Sequence, residues 1–152
     1  LRLPIATVPV ESEDTPPETL DPAERERLRG LRVVYVEDEA DIAESGRQAL
    51  ASLGVAIEVC LDFDQAAARI ARGGLDLLLC DMDLGAGRSG IELLALLRTT
   101  PGGSAIPAVV LSAYGSDEDR EATRRAGFVE HVVKPADTTT IARALARAWA
   151  GT

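Results

Sequence analysis

Four short apolar runs, each followed by a polar residue, constrain the fold of this chain more than any other feature of its sequence. The runs alternate with segments of helical pattern, which is typical of buried strands in a parallel sheet. The carboxyl ends of parallel strands meet at one edge, where such sheets carry their ligand sites. We therefore expect one site at that edge, formed by the residues that follow the four runs: Glu37 and Asp38, Asp81, Ser112, and Lys134.

The pattern of a strand followed by a helix occurs five times from residue 31 onward. The predicted strands lie near residues 32–36, 55–60, 76–80, 107–112 and 129–133. The predicted helices lie near residues 39–53, 63–72, 90–99, 117–126 and 138–149. Gly54 and Gly73 favour the ends of two helices, and Asp62 and Asp137 are suitable caps for two others. This order predicts an α/β sandwich.

Composition limits both the size of the protein core and the class of partner. The 152 residues are 46% hydrophobic, which is enough for one core, and only 3% are aromatic. A net charge of −9 disfavours contact with phosphate backbones, so we expect no direct nucleic-acid binding. The sequence shows neither a long apolar stretch nor a basic and then apolar leader, and we expect this segment to be cytoplasmic and to make no membrane contact.

The first 29 residues differ in amino-acid composition from the rest of the chain. Four prolines among acidic and hydroxyl residues between positions 9 and 22 predict a linker. A short helix over residues 23–29 is expected to follow it and only to decorate the domain. Leu1 to Ile5 resemble the last strand of a preceding domain. We therefore divide the chain into a tail, linker and short helix at 1–29 and a main domain at 30–152.

Three acids at the predicted site imply a cation. Glu37, Asp38 and Asp81, brought close together, would repel one another and raise each other's pKa values unless positive charge lay between them. Mg²⁺ suits two carboxylates, a backbone carbonyl and a phosphoryl oxygen, because it prefers oxygen ligands in octahedral geometry. Lys134 would act as a point charge that neutralises an aspartyl phosphate. Solvated loop acids remain the alternative for any one of these residues alone.

The ordered motifs resemble the receiver domain of two-component response regulators over about residues 31–150. The motifs are Val36-Glu37-Asp38-Glu39, Asp76 to Asp81, Leu111-Ser112-Ala113, and Gly127 to Pro135. Each is weak alone, but their order after successive strands is specific. The resemblance implies a flavodoxin-like (βα)5 doubly wound sandwich with a parallel five-stranded sheet in the order 2-1-3-4-5.

The resemblance also implies roles for the residues at the acidic edge. Asp81 would accept a phosphoryl group from a phosphohistidine as a nucleophilic carboxylate. Asp38 and Asp81 would bind Mg²⁺ directly, Glu37 through a water, and Asp83 through its backbone carbonyl. The domain would thereby catalyse its own phosphorylation and dephosphorylation.

Ser112 and Lys134 would hold the phosphoryl oxygens, and Ser112 would also begin a switch. In the family, movement of this hydroxyl lets an aromatic side chain on the last strand rotate and change the face formed by the fourth helix, the fifth strand and the fifth helix. His131 occupies the matching position. We favour a packing role for it, and its charge can change near neutral pH.

The loop after Asp81 departs from the family pattern. It lacks the usual proline and is one residue longer before Gly90, so we expect a looser loop. Asp83 places an extra carboxylate two residues after the acceptor, and Tyr114 could cover the same approach. Both residues are therefore predicted to tune dephosphorylation by controlling the hydrolytic water.

Two other functions fit parts of the sequence. Asp81-Met82-Asp83 matches the Asp-x-Asp of haloacid-dehalogenase-like phosphatases, in which the second acid is a general acid or base. That class needs the motif after the first strand and an acidic pair beyond the lysine, and only Asp137 follows Lys134. A degenerate receiver used only for docking is the third interpretation, which the intact set of acids, hydroxyl and lysine disfavours.

The tail at Leu1 to Pro4 resembles the closing strand of a histidine-kinase ATP-binding domain. With a receiver after it, this indicates a hybrid sensor histidine kinase, and a stand-alone regulator is the alternative. The partners would be a phosphohistidine on a kinase or a histidine phosphotransfer protein. The helix at residues 39–53 would be their docking surface, and dimerisation stays open.

Overall fold

Five short strands form one parallel sheet in the order β2-β1-β3-β4-β5, as the resemblance implies. The computed structural model describes residues 19–151. The register pairs Val33 of β1 with Leu77 of β3, and Val109 of β4 with Glu130 of β5, so all five carboxyl ends lie at one edge. The strands are β1 at Arg32–Val36, β2 at Ala56–Cys60, β3 at Leu77–Asp81, β4 at Ala108–Ser112 and β5 at Glu130–Val133.

Within residues 19–151, six α-helices surround the sheet, and each begins and ends within two residues of its predicted bounds. They are α1 at Pro22–Leu28, α2 at Ala40–Ala51, α3 at Phe63–Ala71, α4 at Gly90–Arg98, α5 at Asp117–Ala126 and α6 at Thr138–Ala150. Side chains of Asp62, Ser116 and Asp137 accept hydrogen bonds from the first turns of α3, α5 and α6. These caps satisfy backbone donors that have no partner within a helix.

The sheet separates two apolar cores, because alternate residues of a strand point to opposite faces. Val33 and Tyr35 pack on the side of α1, α2 and α6, and Val34 and Val36 pack on the side of α3 and α4. Every residue of β3 and β4 is buried. The five strands and five of the helices therefore form the predicted flavodoxin-like sandwich.

The sixth helix, α1, belongs to the core rather than decorating it. Leu20 is 5% exposed and Leu28 is fully buried, and both join the core beneath α6. Arg143 of α6 forms an ion pair with Glu24 at 3.1 Å and donates to the Thr19 carbonyl at 2.9 Å. The expectation of a decorative helix is wrong because two widely spaced leucines suffice to anchor a two-turn helix. The predicted tail at residues 1–5 lies outside the described residues.

The loop between β3 and α4 is also more ordered than expected. Leu84 N–H donates to the Arg88 carbonyl at 3.0 Å, and Gly90 N–H donates to the Met82 carbonyl at 2.8 Å. Gly85, Ala86 and Gly87 all have positive φ, which lets the extra residue be taken up in a tight turn. Among residues 19–151, no helix has the length and apolar character needed to span a membrane.

Candidate functional site at the carboxyl edge of the sheet

The carboxyl ends of β1, β3, β4 and β5 bring together the residues predicted to form a site. They line a pocket of about 290 Å³. Gly90 allows the chain to turn closely behind β3, because a Cβ at this position would lie 2.7 Å from the Asp81 carbonyl oxygen. The pocket is lined by Glu37, Asp38, Glu39, Ile42, Asp81, Met82, Asp83, Ser112, Ala113, Tyr114 and Lys134.

Lys134 connects two of the acids. Its Nζ lies 2.8 Å from Asp81 Oδ2 and 3.5 Å from Glu37 Oε1. Burial lowers the pKa of Lys134, but the hydrogen bond and negative charge of Asp81, together with the charge of Glu37, outweigh burial and raise it. The ammonium group is therefore held in its charged form beside Asp81.

Glu37 is the acid with the least favourable surroundings. Its side chain is only 1% exposed, and within the described residues its Oε1 has no hydrogen-bond partner. Its Oε2 accepts a hydrogen bond from Glu39 N–H at 3.2 Å. Burial and then the nearby charge of Asp81 raise the pKa of Glu37, although the Glu39 N–H and the charge of Lys134 act in the opposite direction. A buried carboxylate oxygen without a partner is costly unless a cation or water satisfies it.

The three acids fit a divalent cation. One carboxylate oxygen from each of Glu37, Asp38 and Asp81 lies within 4.8 Å of the others. All three donors are hard oxygens, which matches the ligand preference of Mg²⁺, and Glu37 Oε1 has no hydrogen-bond partner among the described residues. Gly85 packs against Asp38, where an added Cβ would lie 3.4 Å from Oδ2, and sequence patterns gave no sign of this contact.

Ser112, at the end of β4, is buried and closes the pocket beside Asp81. Its Oγ accepts a hydrogen bond from Tyr114 N–H at 3.0 Å. Tyr114 is 70% exposed at the rim of the pocket, and Asp83 Oδ1 accepts from Gly85 N–H at 3.0 Å within the β3–α4 loop. Both residues predicted to tune dephosphorylation therefore line the pocket, although neither contacts Asp81 through a hydrogen bond in the described part of the chain.

His131 does not line this pocket, and its ring contacts two neighbouring elements. Nε2 lies 2.9 Å from the Tyr114 carbonyl oxygen, and Nδ1 lies 2.9 Å from Thr123 Oγ1 of α5. The half-buried ring thus has a packing position with two polar contacts. Sequence reasoning missed Thr123, because its only signal is a buried hydroxyl in an otherwise charged helix.

The second acid required for an Asp-x-Asp phosphatase is not supplied by Asp137. Its carboxylate caps α6 by accepting from Thr140 N–H at 2.8 Å, and it does not line the pocket. The two cysteines also lie outside the site: both are free and buried, and burial raises the pKa of each thiol. The arrangement therefore offers one nucleophilic carboxylate, an ammonium group, a hydroxyl and a cation-binding acidic group.

Comparison with known proteins relates this chain to one family and to several of its relatives. The response regulator receiver domain family matches residues 33–146. The chain is 30% identical over 116 residues to an uncharacterized 14.6 kDa protein of Leptolyngbya boryana, covering 76% of this chain and 88% of that protein. It is 34% identical over 107 residues to the phosphate regulon transcriptional regulatory protein PhoB of Rhizobium meliloti, covering 70% of this chain and 47% of PhoB. The chain therefore spans about half the length of that regulator.

Solved structures share the fold. The receiver domain of the sensor histidine kinase PA1611 from Pseudomonas aeruginosa matches with a TM-score of 0.70 and 26% identity, over 81% of this chain and 99% of that one. That structure has a magnesium ion coordinated in its active-site cleft. The chemotaxis protein CheY4 of Vibrio cholerae matches with a TM-score of 0.73 and 22% identity, over 78% of this chain and 98% of that one.

Proposed function

Because the chain belongs to the response regulator receiver domain family of two-component signalling, we propose that it accepts a phosphoryl group from a phosphohistidine on Asp81. The observation that carries this proposal is the contact between Asp81 and Lys134 at 2.8 Å inside a group of three acids. An isolated surface carboxylate would have neither an ammonium partner in hydrogen-bond contact nor two further acids within reach of one cation.

In the proposed reaction, a carboxylate oxygen of Asp81 forms a bond to phosphorus while the phosphorus–nitrogen bond of the phosphohistidine breaks. The electron pair of that bond returns to the imidazole nitrogen, and the product is an acyl phosphate. The transition state of such transfers carries charge on the equatorial phosphoryl oxygens, so a site acts mainly by positioning and by opposing that charge. Lys134 provides positive charge there, and the Ser112 hydroxyl donates a hydrogen bond.

We propose Mg²⁺ as the cofactor of this transfer, with Glu37, Asp38, Asp81 and the backbone carbonyl of Asp83 as its ligands. The metal would neutralise the acids and a phosphoryl oxygen. Support comes from the oxygen donors within 4.8 Å of one another and from the unpartnered Glu37 Oε1. In this proposal Glu37 acts through a bound water.

Asp83 and Tyr114 are proposed to set the lifetime of the phosphoryl group. Both line the pocket, and the Tyr114 side chain is 70% exposed at its rim. The proposed output surface is the face formed by α5, β5 and α6, which His131 and Ser112 join to the site. A role restricted to docking is less well supported, because it leaves the contact of the buried acids Glu37 and Asp81 with Lys134 unexplained.

The partners proposed are a histidine kinase or a histidine phosphotransfer protein, with α2 beside the pocket as the docking helix. Ile42 of α2 is 45% exposed at the pocket rim, which suits contact with a partner helix. We propose a cytoplasmic location and a hybrid sensor kinase as the parent protein, with the sequence of the tail as the support for the latter.

The test is intact mass after incubation with phosphoramidate and Mg²⁺. We expect one phosphoryl adduct on the full chain, none on Asp81→Asn, and none when EDTA removes the metal. Following the adduct over time in Asp83→Asn and Tyr114→Ala measures whether these residues affect hydrolysis. An adduct of equal yield on Asp81→Asn would contradict the assignment, and a folded chain without any adduct would favour a role in docking alone.

A further inference from the structure

The loop between β3 and α4 is a small antiparallel hairpin. Its arms are residues 82–84 and 88–90, joined by a bridge pair between Asp83 and Ser89 and by one hydrogen bond on each side of that pair. In antiparallel pairing, the backbone groups of a residue between two such hydrogen bonds point away from the opposite arm. The Asp83 carbonyl oxygen accordingly accepts no hydrogen bond from any of residues 19–151. The hairpin therefore leaves this proposed metal ligand directed out of its own hydrogen-bond ladder.

The turn at the tip of the hairpin places its backbone against Asp38. Arg88 N–H donates to the Gly85 carbonyl at 2.9 Å, and both residues between them have positive φ, as in a type I′ turn. A Cβ at Gly85 would lie 3.4 Å from Asp38 Oδ2. The position of the hairpin thus affects two of the proposed metal ligands at once, the Asp38 carboxylate and the Asp83 carbonyl.

Two side chains hold the hairpin to the body of the domain. On the first arm, Leu84 is 2% exposed and belongs to the core beneath α3 and α4. On the second arm, the guanidinium carbon of Arg88 lies 3.7 Å from the centre of the Phe63 ring. Phe63 is the first residue of α3, and its side chain is part of the same core, so the ring is a rigid support. The first arm is therefore held by apolar burial and the second by a cation–π contact.

The Phe63 ring is the main partner of the Arg88 side chain. Arg88 Nε is buried and has no hydrogen-bond partner among residues 19–151, and Glu92 Oε1 lies 3.6 Å from it, beyond hydrogen-bond distance. The same Glu92 oxygen accepts from Ser89 N–H at 3.0 Å as part of the cap of α4. The exposed ion pair with Glu92 is thus weak, and the guanidinium group is held chiefly by stacking on Phe63.

We infer that Arg88 is a positioning residue, whose contact with the Phe63 ring fixes the hairpin so that the Asp83 carbonyl faces the proposed Mg²⁺ site. The inference rests on the proposed function, since it concerns the metal of that same reaction. Arg88 does not line the pocket, so it acts through the backbone of the hairpin. Loss of the contact lets the second arm move, and it lowers the fraction of molecules in which this carbonyl and the carboxylates converge on one cation.

Charge alone predicts the opposite result when Arg88 is removed. The proposed metal site holds three acids and one ammonium group, so taking away a further positive charge would strengthen its attraction for a divalent cation. Loss of positioning would instead weaken binding of the same cation. The sign of the change in Mg²⁺ affinity therefore distinguishes a positioning role for Arg88 from a purely electrostatic effect.

The first experiment measures Mg²⁺ affinity by NMR titration of the full chain in the wild type, Arg88→Ala, Phe63→Tyr and Arg72→Ala. We expect Arg88→Ala to bind Mg²⁺ roughly threefold to thirtyfold more weakly, as one cation–π contact behind a metal ligand supports. Phe63→Tyr keeps a ring face beneath the guanidinium group and should bind like the wild type. Arg72 is an exposed arginine that pairs with Glu58 outside the pocket, so Arg72→Ala should bind no more weakly than the wild type. Equal or tighter binding by Arg88→Ala would overturn the inference.

The second experiment examines the hairpin without metal. Amide hydrogen exchange at Leu84 and Gly90 reports opening of the two hydrogen bonds that join the arms. We expect Arg88→Ala to speed exchange at both amides, by roughly threefold to thirtyfold, while the amides of β1 keep their wild-type rates. Phe63→Leu should also speed exchange at both amides, and combining it with Arg88→Ala should add little, because both changes remove the same contact. Unchanged exchange in Arg88→Ala, or fully additive effects in the double variant, would contradict the role of this contact.

Failure of this inference and failure of the proposed function give different results. If the wild type itself shows no saturable Mg²⁺ binding, the proposed cofactor site is wrong and the role of Arg88 falls with it. If the wild type binds Mg²⁺ and forms an adduct on Asp81, but Arg88→Ala binds Mg²⁺ equally well, only the role of Arg88 is wrong. The Arg88 side chain is 42% exposed, so Arg88→Ala is expected to fold and remains informative if Phe63→Leu does not.

Discussion

The two edges of the sheet use charged residues in opposite ways. At the amino edge, Arg32 of β1 pairs with Asp76 at 3.1 Å. At the carboxyl edge, three acids share one ammonium group, and one buried carboxylate oxygen has no hydrogen-bond partner in the described residues. The charges of the amino edge are paired, whereas the carboxyl edge holds more negative than positive charge, as expected if a cation completes the proposed site.

The buried positions on each side show the same difference. Leu28 anchors α1 beside the amino edge through apolar contact alone. Glu37 occupies an equally buried position at the carboxyl edge, where its charge is costly without a cation. This difference shows that burial by itself does not distinguish a structural residue from a functional one. The chemistry of the buried group and the state of its hydrogen bonds make the distinction.

The largest effect that tests this comparison is expected at Leu28. Leu28→Ala removes a fully buried side chain and should lower the free energy of unfolding by about 2–5 kcal/mol, because it loses apolar burial and leaves a cavity. Denaturant unfolding measures the loss. Leu96→Ala is the matched control, since Leu96 is 36% exposed on α4 and should cost much less. The folded fraction of Leu28→Ala should still accept a phosphoryl group at the wild-type rate, and a slower rate would show that the two edges are coupled.

A smaller effect of opposite sign is expected at Glu37. Glu37→Gln removes a buried charge and should raise the stability of the metal-free protein by about 1 kcal/mol, since a buried carboxylate oxygen without a hydrogen bond is costly. The same variant should lose most of the increase in Tm that Mg²⁺ gives the wild type. Thermal unfolding with EDTA and with Mg²⁺ measures both effects.

Glu39→Gln is the control for Glu37→Gln, because the Glu39 side chain is exposed at the same pocket. The Glu39→Gln variant should have the stability of the wild type without metal, and it should keep most of the increase in Tm that Mg²⁺ gives. If Glu37→Gln destabilised the metal-free protein, the contact with Lys134 would be worth more than the burial costs, and the contrast between the two edges would be wrong.

The smallest effect is expected at Asp76, together with a characteristic pH dependence. Burial opposes ionisation of Asp76, but the hydrogen bonds and charge of Arg32 outweigh it and lower its pKa. A lowered pKa in the folded state means that the stabilisation is present above the ordinary value of about 4 and is lost as the pH falls through the folded value. Asp76→Asn should cost at most about 1 kcal/mol near neutral pH, because Arg32 is well exposed.

Urea unfolding of wild type and Asp76→Asn between neutral and strongly acidic pH measures this difference. The two proteins should converge in stability as the pH falls. Curves that stay parallel over the whole range would mean that Arg32 and Asp76 contribute through packing or backbone contacts rather than through charge.

Local patterns in the sequence were sufficient for the strands, the helices and the main site residues. The alternation of apolar runs with helical segments predicted all five strands, and the residues after those runs were the ones that the structure brings into one pocket. The capping residues Asp62 and Asp137 were also predicted, because a cap depends only on residues three positions away. In each case the determining interactions are local or follow from the parallel order of the strands.

Three features depended on contacts between residues far apart in the chain. Leu20 and Leu28 are buried against α6, which follows more than a hundred residues later in the chain. Because local composition does not show this contact, the sequence suggested a helix that only decorates the domain. The order of the β3–α4 loop came from backbone hydrogen bonds that the absence of proline did not indicate. The network of Tyr114, Thr123 and His131 required the exact placement of a strand, a loop and a helix around one ring.

The sequence by itself therefore determined the fold and the identity of the acids, hydroxyl and lysine at the carboxyl edge. Periodicity and strand-end chemistry are carried by neighbouring residues, and the parallel sheet converts them into one site. Only the tertiary structure decided that Glu37 Oε1 lacks a hydrogen-bond partner among the described residues, that α1 is part of the core, and that His131 reaches the Tyr114 carbonyl. These properties arise from packing between distant segments, whose distances and hydrogen bonds no local pattern specifies.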